Sequence, residues 1–144
     1  MPAKDFHHDQ LKTALIKDGW TITADPLHIP FGNTDLYVDL GAERLLSAIK
    51  GDEKIAAELK SFVGDSTVHD LHLAIGQFFV YLLGLRYKEP DRVLFLAVNE
   101  ETYEDVFKES LGRALLEDYK LPMIVFDSDK EVIIKWITWN KHEN

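Results

Sequence analysis

The stretch that decides the fold is Ile55-Ala56-Ala57-Glu58-Leu59-Lys60-Ser61, an apolar run interrupted by an acid and a lysine. Side chains of a β-strand alternate between the two faces of a sheet, so Glu58 and Lys60 point to one face and Leu59 to the other. A charged pair beside a run of small apolar residues needs a physical or functional reason. Upstream, Val38-Asp39-Leu40 adds a second carboxylate in the preceding strand-like run.

Two carboxylates and a lysine form a set that suits phosphodiester chemistry. Mg²⁺ is commonly held by one or two carboxylates, with waters and phosphate oxygens as its other ligands. A neighbouring ammonium orients the attacking water and offsets developing negative charge. We therefore expect Asp39 and Glu58 to bind Mg²⁺ or Mn²⁺ and Lys60 to assist hydrolysis. The competing interpretation is an ordinary solvated Glu-x-Lys ion pair on a strand.

The sequence does not decide which of three acidic residues is the second metal ligand beside Glu58. A hairpin turn at the Gly-Asp pair of residues 51 and 52 places a residue near Glu43, and not Asp39, opposite Glu58. Glu43 is then a serious competitor for the metal, and Asp35 is a weaker one.

Periodicity and turn residues divide the chain into alternating segments. Their order, α-β-β-β-α-β-α-β-β, predicts a single α/β domain over residues 1–144, with a mixed β-sheet flanked by helices. We expect helices over Asp5–Lys17, Ser66–Arg86 and Thr102–Tyr119, a loop over Ala24–Thr34, and strands over Trp20–Thr23, Leu36–Ile49, Lys54–Phe62, Val93–Val98, Leu121–Phe126 and Val132–Trp139.

The long central helix carries Gln77 and Tyr81 four residues apart, and therefore on one face. An acid, then a Glu-x-Lys strand, then this helix resembles the PD-(D/E)XK nuclease core, including the Gln-x-x-x-Tyr helix of its RecB-like branch. The resemblance implies a restriction-endonuclease-like fold in which Asp39 and Glu58 bind metal and Lys60 assists the water. It also implies that the helix Gln and Tyr line the site.

Longer motifs lie mainly in the first half of the chain: DFHH at residues 5–8, LKTAL at 11–15, DGWTITADP at 18–26, DLYVDLGAER at 35–44, and Gly76-Gln77. Together they are similar to the XisH family, the fdxN-element excision controlling factors known mainly from cyanobacteria. The resemblance implies a role in the programmed excision of a DNA element. It also implies a companion protein, XisI.

Composition limits how the protein can bind DNA. The formal net charge is −9, whereas non-specific DNA affinity comes largely from Lys and Arg that neutralise phosphates. DNA binding then requires bound metal, a partner protein or a local basic patch. The residues we expect to form such a patch are Lys12, Arg44, Lys50, Lys54 and Lys60.

The remaining composition narrows the class of protein. The absence of cysteine excludes disulfides, thiolate zinc sites and cysteine nucleophiles. Without a signal-peptide pattern or an apolar run of roughly 20 residues, we expect a cytoplasmic protein with no membrane segment. Among the histidines, His7 and His8 are adjacent and face different directions, and we expect His69 and His72 to lie on a solvated helix edge.

Two functions therefore compete. The first is an excision controlling factor with an Mg²⁺-dependent nuclease site. The alternative is a catalytically inactive nuclease-fold regulatory protein that binds XisI or a site-specific recombinase, which the acidic charge favours. A homodimer is a further expectation, because proteins of this fold that act on duplexes often pair.

Overall fold

A six-stranded β-sheet covered by helices on both faces carries the candidate residues. The computed structural model describes residues 5–47 and 51–139. Its elements in chain order are α1 His8–Lys17, β1 Thr21–Ala24, β2 Leu27–Phe31, β3 Thr34–Val38, β4 Leu40–Ser47, β5 Gly51–Leu59, α2 Thr67–Lys88, β6 Arg92–Asn99, α3 Glu100–Thr102, a π-helical segment Tyr103–Phe107, α4 Ser110–Asp118, β7 Met123–Asp127 and β8 Val132–Ile137.

The sheet is mixed, and the strand that contains Glu58 lies near its middle. The strand order is β1-β4-β5-β6-β7-β8, with β5, β6 and β7 parallel to one another and the outer pairs antiparallel. Helix α1 packs on one face, and α2 and α4 pack on the other. The predicted mixed sheet flanked by helices is confirmed.

The strand β5 is buried on both faces because its side chains are apolar on both sides. Ala56 belongs to the core beneath α2, whereas Ile55, Ala57 and Leu59 belong to the core beneath α1. By the same alternation Glu58 points towards α2. The sequence of the strand therefore decides which helix covers the charged side chain.

The predicted element order is wrong at Ala24–Thr34, which is not a loop. Residues 27–31 and 34–38 form β2 and β3, a separate two-stranded hairpin that packs against α2. Leu27 and Ile29 are buried and alternate with exposed His28 and Pro30, which is the period of a half-buried strand. Prolines are tolerated in such an edge strand, so they were a misleading loop signal here.

The predicted helix over Thr102–Tyr119 is also interrupted. It consists of α3, the π-helical segment and α4, with a break at residues 108 and 109. The break lets α4 fold back on the π-helical segment, and Gly112 lies at the contact. A Cβ atom at Gly112 would overlap the carbonyl oxygen of Val106 and lie 2.8 Å from its carbonyl carbon.

Replacing Gly112 with alanine should therefore destabilise the fold. The clash is with backbone atoms, which cannot rotate away, so we expect Gly112→Ala to lower the free energy of unfolding by about 2–3 kcal/mol. Ser110→Ala, at an exposed position of the same helix, is the control. Helix propensity should make that variant as stable as the parent or more so. Urea denaturation measures both, and equal stability of the two variants would contradict the packing described.

Candidate functional site

The register of β4 on β5 decides which acid faces Glu58. Leu40 pairs with Ala57, so the next position back, Asp39, lies opposite Glu58. Two hydrogen bonds join the positions: the Asp39 N–H donates to Glu58 Oε1 at 3.2 Å, and the Leu59 N–H donates to Asp39 Oδ2 at 2.8 Å. The turn expected at residues 51 and 52 is wrong, because Gly51 already begins β5.

The two competing acids lie elsewhere. Glu43 is opposite Lys54 and contacts the buried Arg92, whose guanidinium nitrogen is 3.7 Å from Glu43 Oε1. Four residues along an extended strand is about 13 Å, too far for Glu43 to share a cation with Glu58. Asp35 is exposed and hydrogen-bonds His28 at 2.8 Å. The expectations that Glu43 or Asp35 supplies the second ligand are therefore wrong for this structure.

The Asp39–Glu58 pair is buried and short of positive charge. The Glu58 side chain is 7% exposed, and its nearest cation is Lys60, with Nζ 3.6 Å from Glu58 Oε2. Burial, reinforced by the negative charge of Asp39, raises the pKa of Glu58 to about 8. Burial raises the pKa of Asp39 as well, although the Leu59 N–H opposes the rise. The raised pKa favours the protonated form of Glu58 near neutral pH.

Helix α2 brings the predicted glutamine and tyrosine to this pair. Burial raises the pKa of Tyr81 to about 12, and the negative charges of Glu58 and Asp39 add to the rise. Both carboxyls therefore act on Tyr81 electrostatically, and its hydroxyl stays protonated at neutral pH. Gln77 lies one turn earlier on the same helix face, and its Oε1 is buried without a hydrogen-bond partner among the residues described. The predicted residues Asp39, Glu58 and Lys60 thus lie together, and Tyr81, on the same helix face as Gln77, is within reach of their electrostatic field.

Lys60 connects the buried pair to an open cleft. The cleft has a volume of about 320 Å³ and lies between the end of β5 and the start of α2. Lys60 is 25% exposed, so its ammonium reaches both the cleft and Glu58. The residues that line it are Asp5, Lys60, Ser61, Phe62, Val63, Gly64, Asp70 and Leu73.

The two carboxyl groups could bind a divalent cation such as Mg²⁺, with water or phosphate oxygens as its other ligands. Asp39 Oδ1 and Glu58 Oε2 are the two carboxylate oxygens not used by the backbone hydrogen bonds. Over residues 5–47 and 51–139, no three His, Asp or Glu side chains come close enough to enclose a metal. Two carboxylates with open positions match the way proteins hold Mg²⁺, and do not match a closed structural site.

Comparison with models of known protein families identifies the family of the chain. The family model described as XisH protein matches residues 1–134. The chain belongs to the XisH family. The predicted resemblance to that family is thus confirmed.

Two crystal structures share the fold of this XisH-family chain. An XisH family protein from Nostoc punctiforme PCC 73102 is 41% identical, with a TM-score of 0.83, and the alignment covers 93% of this chain and all of that one. An fdxN element excision controlling factor protein from Anabaena variabilis is 43% identical, also with a TM-score of 0.83, and covers 94% of this chain. That alignment includes 100% of the Anabaena chain. No curated protein matches the sequence.

One residue at the site was missed by the sequence analysis. His8 is buried, its Nε2 lies 2.7 Å from Asp25 Oδ1, and its charge when protonated lowers the pKa of Asp39. His8 shares the buried face of α1 with Leu11 and Leu15, three and seven residues on. That spacing indicates that His8 is buried. The sequence analysis considered only that His7 and His8 are adjacent, and so did not use it.

The expected basic patch is largely neutralised in the part of the chain that the structure describes. Lys54 faces Glu43 across the β4–β5 ladder, and Lys50 lies outside the described residues. Lys12 is ion-paired with Asp25 at 2.8 Å and Arg44 with Glu53 at 2.9 Å, and Lys60 Nζ lies beside the Asp39–Glu58 pair, 3.6 Å from Glu58 Oε2.

Glu58 should make the stability of this XisH-family chain depend on pH. Its pKa is about 8 in the folded protein against an ordinary 4.5, so between these values the folded chain holds a proton that the unfolded chain releases. Stability therefore falls as pH rises from about 5 to about 8 and then levels off. Glu58→Gln keeps the shape of the protonated acid but has no proton to lose, so its stability should stay level over this range and exceed that of the parent at high pH.

Urea unfolding at a series of pH values, without divalent metal, measures the effect. Glu101→Gln, at an exposed glutamate, is the matched control and should follow the parent at every pH. A parent whose stability is level from pH 5 to pH 9 would contradict the buried, proton-holding pair.

Proposed function

We propose that this chain takes part in controlling the excision of a DNA element, and that Asp39, Glu58 and Lys60 form a metal-dependent nuclease site within it. The name of the Anabaena variabilis relative, fdxN element excision controlling factor, supports the first part. The second part is carried by a single observation, the Asp39–Glu58 carboxyl pair across β4 and β5 with Lys60 beside it. In this proposal the mixed sheet is a PD-(D/E)XK, restriction-endonuclease-like one.

Each side chain has a defined role in the proposed hydrolysis. Asp39 and Glu58 would hold Mg²⁺ or Mn²⁺, which when bound polarises a phosphate oxygen and lowers the pKa of water. Lys60, between the acid pair and the cleft, would position the attacking water and offset the charge that develops on the phosphate. Tyr81 stays protonated below pH 12 and is available as a hydrogen-bond donor. Gln77 Oε1, without a partner among the described residues, is available as an acceptor.

The charge of the chain supports partner-assisted DNA binding. The net charge is −9, and Lys12 and Arg44 of the expected patch are ion-paired, so that patch has little positive charge left to neutralise phosphates. We propose that an XisI-like protein supplies the missing basic surface, and that the complex acts in the cytoplasm, where the chromosome of a bacterium lies.

DNA nicking tests the nuclease proposal directly. With Mg²⁺ or Mn²⁺, and with the XisI-like protein present, we expect the parent to nick supercoiled DNA. Glu58→Ala and Lys60→Ala should each reduce the rate by about 100-fold or more, because each removes a group that acts on the transferring phosphate. Asp35→Asn and Lys54→Ala are the controls on β3 and β5, and both should retain the parent rate. Equal cleavage by every variant would identify a contaminant and defeat the proposal.

Proton release on metal binding is a second, DNA-free test. The cation replaces the proton that Glu58 holds at neutral pH, so binding at pH 7 should release about one proton, and affinity should rise up to about pH 8. Titration calorimetry in two buffers of different ionisation enthalpy measures the release. Asp39→Asn should abolish binding, whereas Asp35→Asn should bind as the parent does. A Mg²⁺ affinity that does not change between pH 6 and 8 would show that the metal binds elsewhere.

The alternative of a regulatory protein without catalysis is supported by the acidic net charge of −9. Such a charge suits contact with XisI or a site-specific recombinase better than contact with bare DNA. Stable copurification with either protein, in the absence of any metal-stimulated cleavage, would favour this function. A chain that cuts DNA alone would count against it.

A further inference from the structure

Helix α2 has a second, largely exposed apolar face, which the rest of the described structure touches only where Phe79 meets Tyr119 and Tyr87 meets Phe31, edge to face. Its inner face, which includes Leu71, Ala74, Phe78 and Leu85, is buried against the sheet. At 100° per residue its exposed apolar residues fall within an arc of about 140° on the opposite side. These residues, each between 42% and 72% exposed, are Val68, Leu73, Phe79, Val80, Leu83 and Tyr87, and we call them the outer face of α2.

The outer face is larger than a monomeric protein usually exposes. Six large side chains, each roughly half exposed, present roughly 600 Å² of mostly apolar surface, at or above the largest patch of a typical monomer. Buried against an equal patch, this gives about 1,200 Å² in total, the lower end of the range for stable protein interfaces. A partner surface of similar size and shape would therefore bury enough area for a stable interface.

A lipid surface is a poorer occupant than a protein. By length and composition α2 is the one helix among the described residues that could cross a membrane. Its inner face, however, is part of the core, and the net charge of −9 repels anionic lipid.

The ends of α2 carry opposite charges that suit a second copy of the same helix. Asp65 precedes the helix, whereas Arg86 and Lys88 lie in its last turn. None of these three has an ion-pair partner within the described part of the chain. If two copies of α2 cross antiparallel at Gly76, position 65 of one lies opposite position 87 of the other. The acidic start of each helix then meets the basic end of its partner, twice in one dimer.

Gly76 allows the two helices to approach closely. It lies within the arc of the outer face, is exposed, and a Cβ built there meets nothing within 4 Å. The bare backbone at this point leaves room for the side chains of a second helix at a shallow crossing angle. The flanking Phe79, Val80 and Leu83 then pack around the crossing.

We propose that the outer face of α2 is a homodimer interface, in which two copies of α2 pack antiparallel with Gly76 at the crossing and Asp65 of each facing Arg86 of the other. The interface does not include Asp39, Glu58 or Lys60, so it is independent of the proposed nuclease site. Because Gln77 and Tyr81 lie on the flank of the same helix, the dimer would hold two candidate sites in one assembly.

Analytical ultracentrifugation of the full chain, without DNA or divalent metal, tests the interface. The parent should be a dimer at micromolar concentration. Leu83→Glu should raise the dimer dissociation constant by about tenfold or more, because it places a charge at the centre of the interface. Ile16→Glu is the matched control, since Ile16 is 53% exposed on α1 across the sheet and should leave the dimer unchanged. Circular dichroism confirms that both variants fold.

A charge exchange tests the antiparallel arrangement. Arg86→Glu should weaken the dimer by placing like charges opposite Asp65, and Asp65→Arg combined with Arg86→Glu should restore it. A parent that is monomeric at about 100 µM would overturn the proposal. A double variant that dimerises no better than Arg86→Glu would also overturn it. A third contrary result is a monomeric parent that sediments with phosphatidylglycerol vesicles when Leu83→Glu abolishes that sedimentation. All these outcomes are read without DNA, so they are separate from failure of the nuclease site.

Discussion

The reciprocal pairing of Asp39 and Glu58 is the contact on which the site depends. Each carboxyl accepts a hydrogen bond from the backbone of the opposite strand, and each thereby fixes the other. A buried carboxylate costs several kcal/mol unless hydrogen bonds, a proton or a cation compensates it. Two such groups side by side ionise together only at a cost, which is why burial and the charge of Asp39 raise the pKa of Glu58 although Lys60 lies beside it. The same electrostatic cost is the physical basis of the proposed metal site.

This arrangement constrains the rest of the fold. Glu58 must lie in an interior strand to be desolvated, and the parallel strands β5 and β6 provide that position. Helix α2 must then cover Glu58 with residues that are apolar where they meet the sheet and polar beside the carboxyl. Phe78 and Leu85 meet the first requirement, and Tyr81 meets the second. The opposite side of the same helix is apolar as well, so one helix both covers Glu58 and carries the surface that we propose for dimerisation.

The sequence predicted the layers of the fold better than its irregular parts. Continuous apolar runs such as Leu94–Val98 identify buried strands whatever their partners, because burial on both faces requires it. The β2–β3 hairpin escaped notice because Pro26 and Pro30 resemble loop residues unless one knows that this hairpin lies outside the main sheet. The break between the π-helical segment and α4 depends on the contact of Gly112 with Val106, a pairing that no local pattern reveals.

The sequence by itself determined the face on which Glu58 and Lys60 point and the shared helix face of Gln77 and Tyr81, because these follow from the periods of a strand and a helix. Only the tertiary structure chose Asp39 over Glu43 as the partner acid. That choice depends on strand register, and a hairpin with an uncertain turn leaves the register open. It also paired the buried His8 with Asp25 and left one side of α2 largely exposed, since contacts between distant segments depend on how the elements pack together.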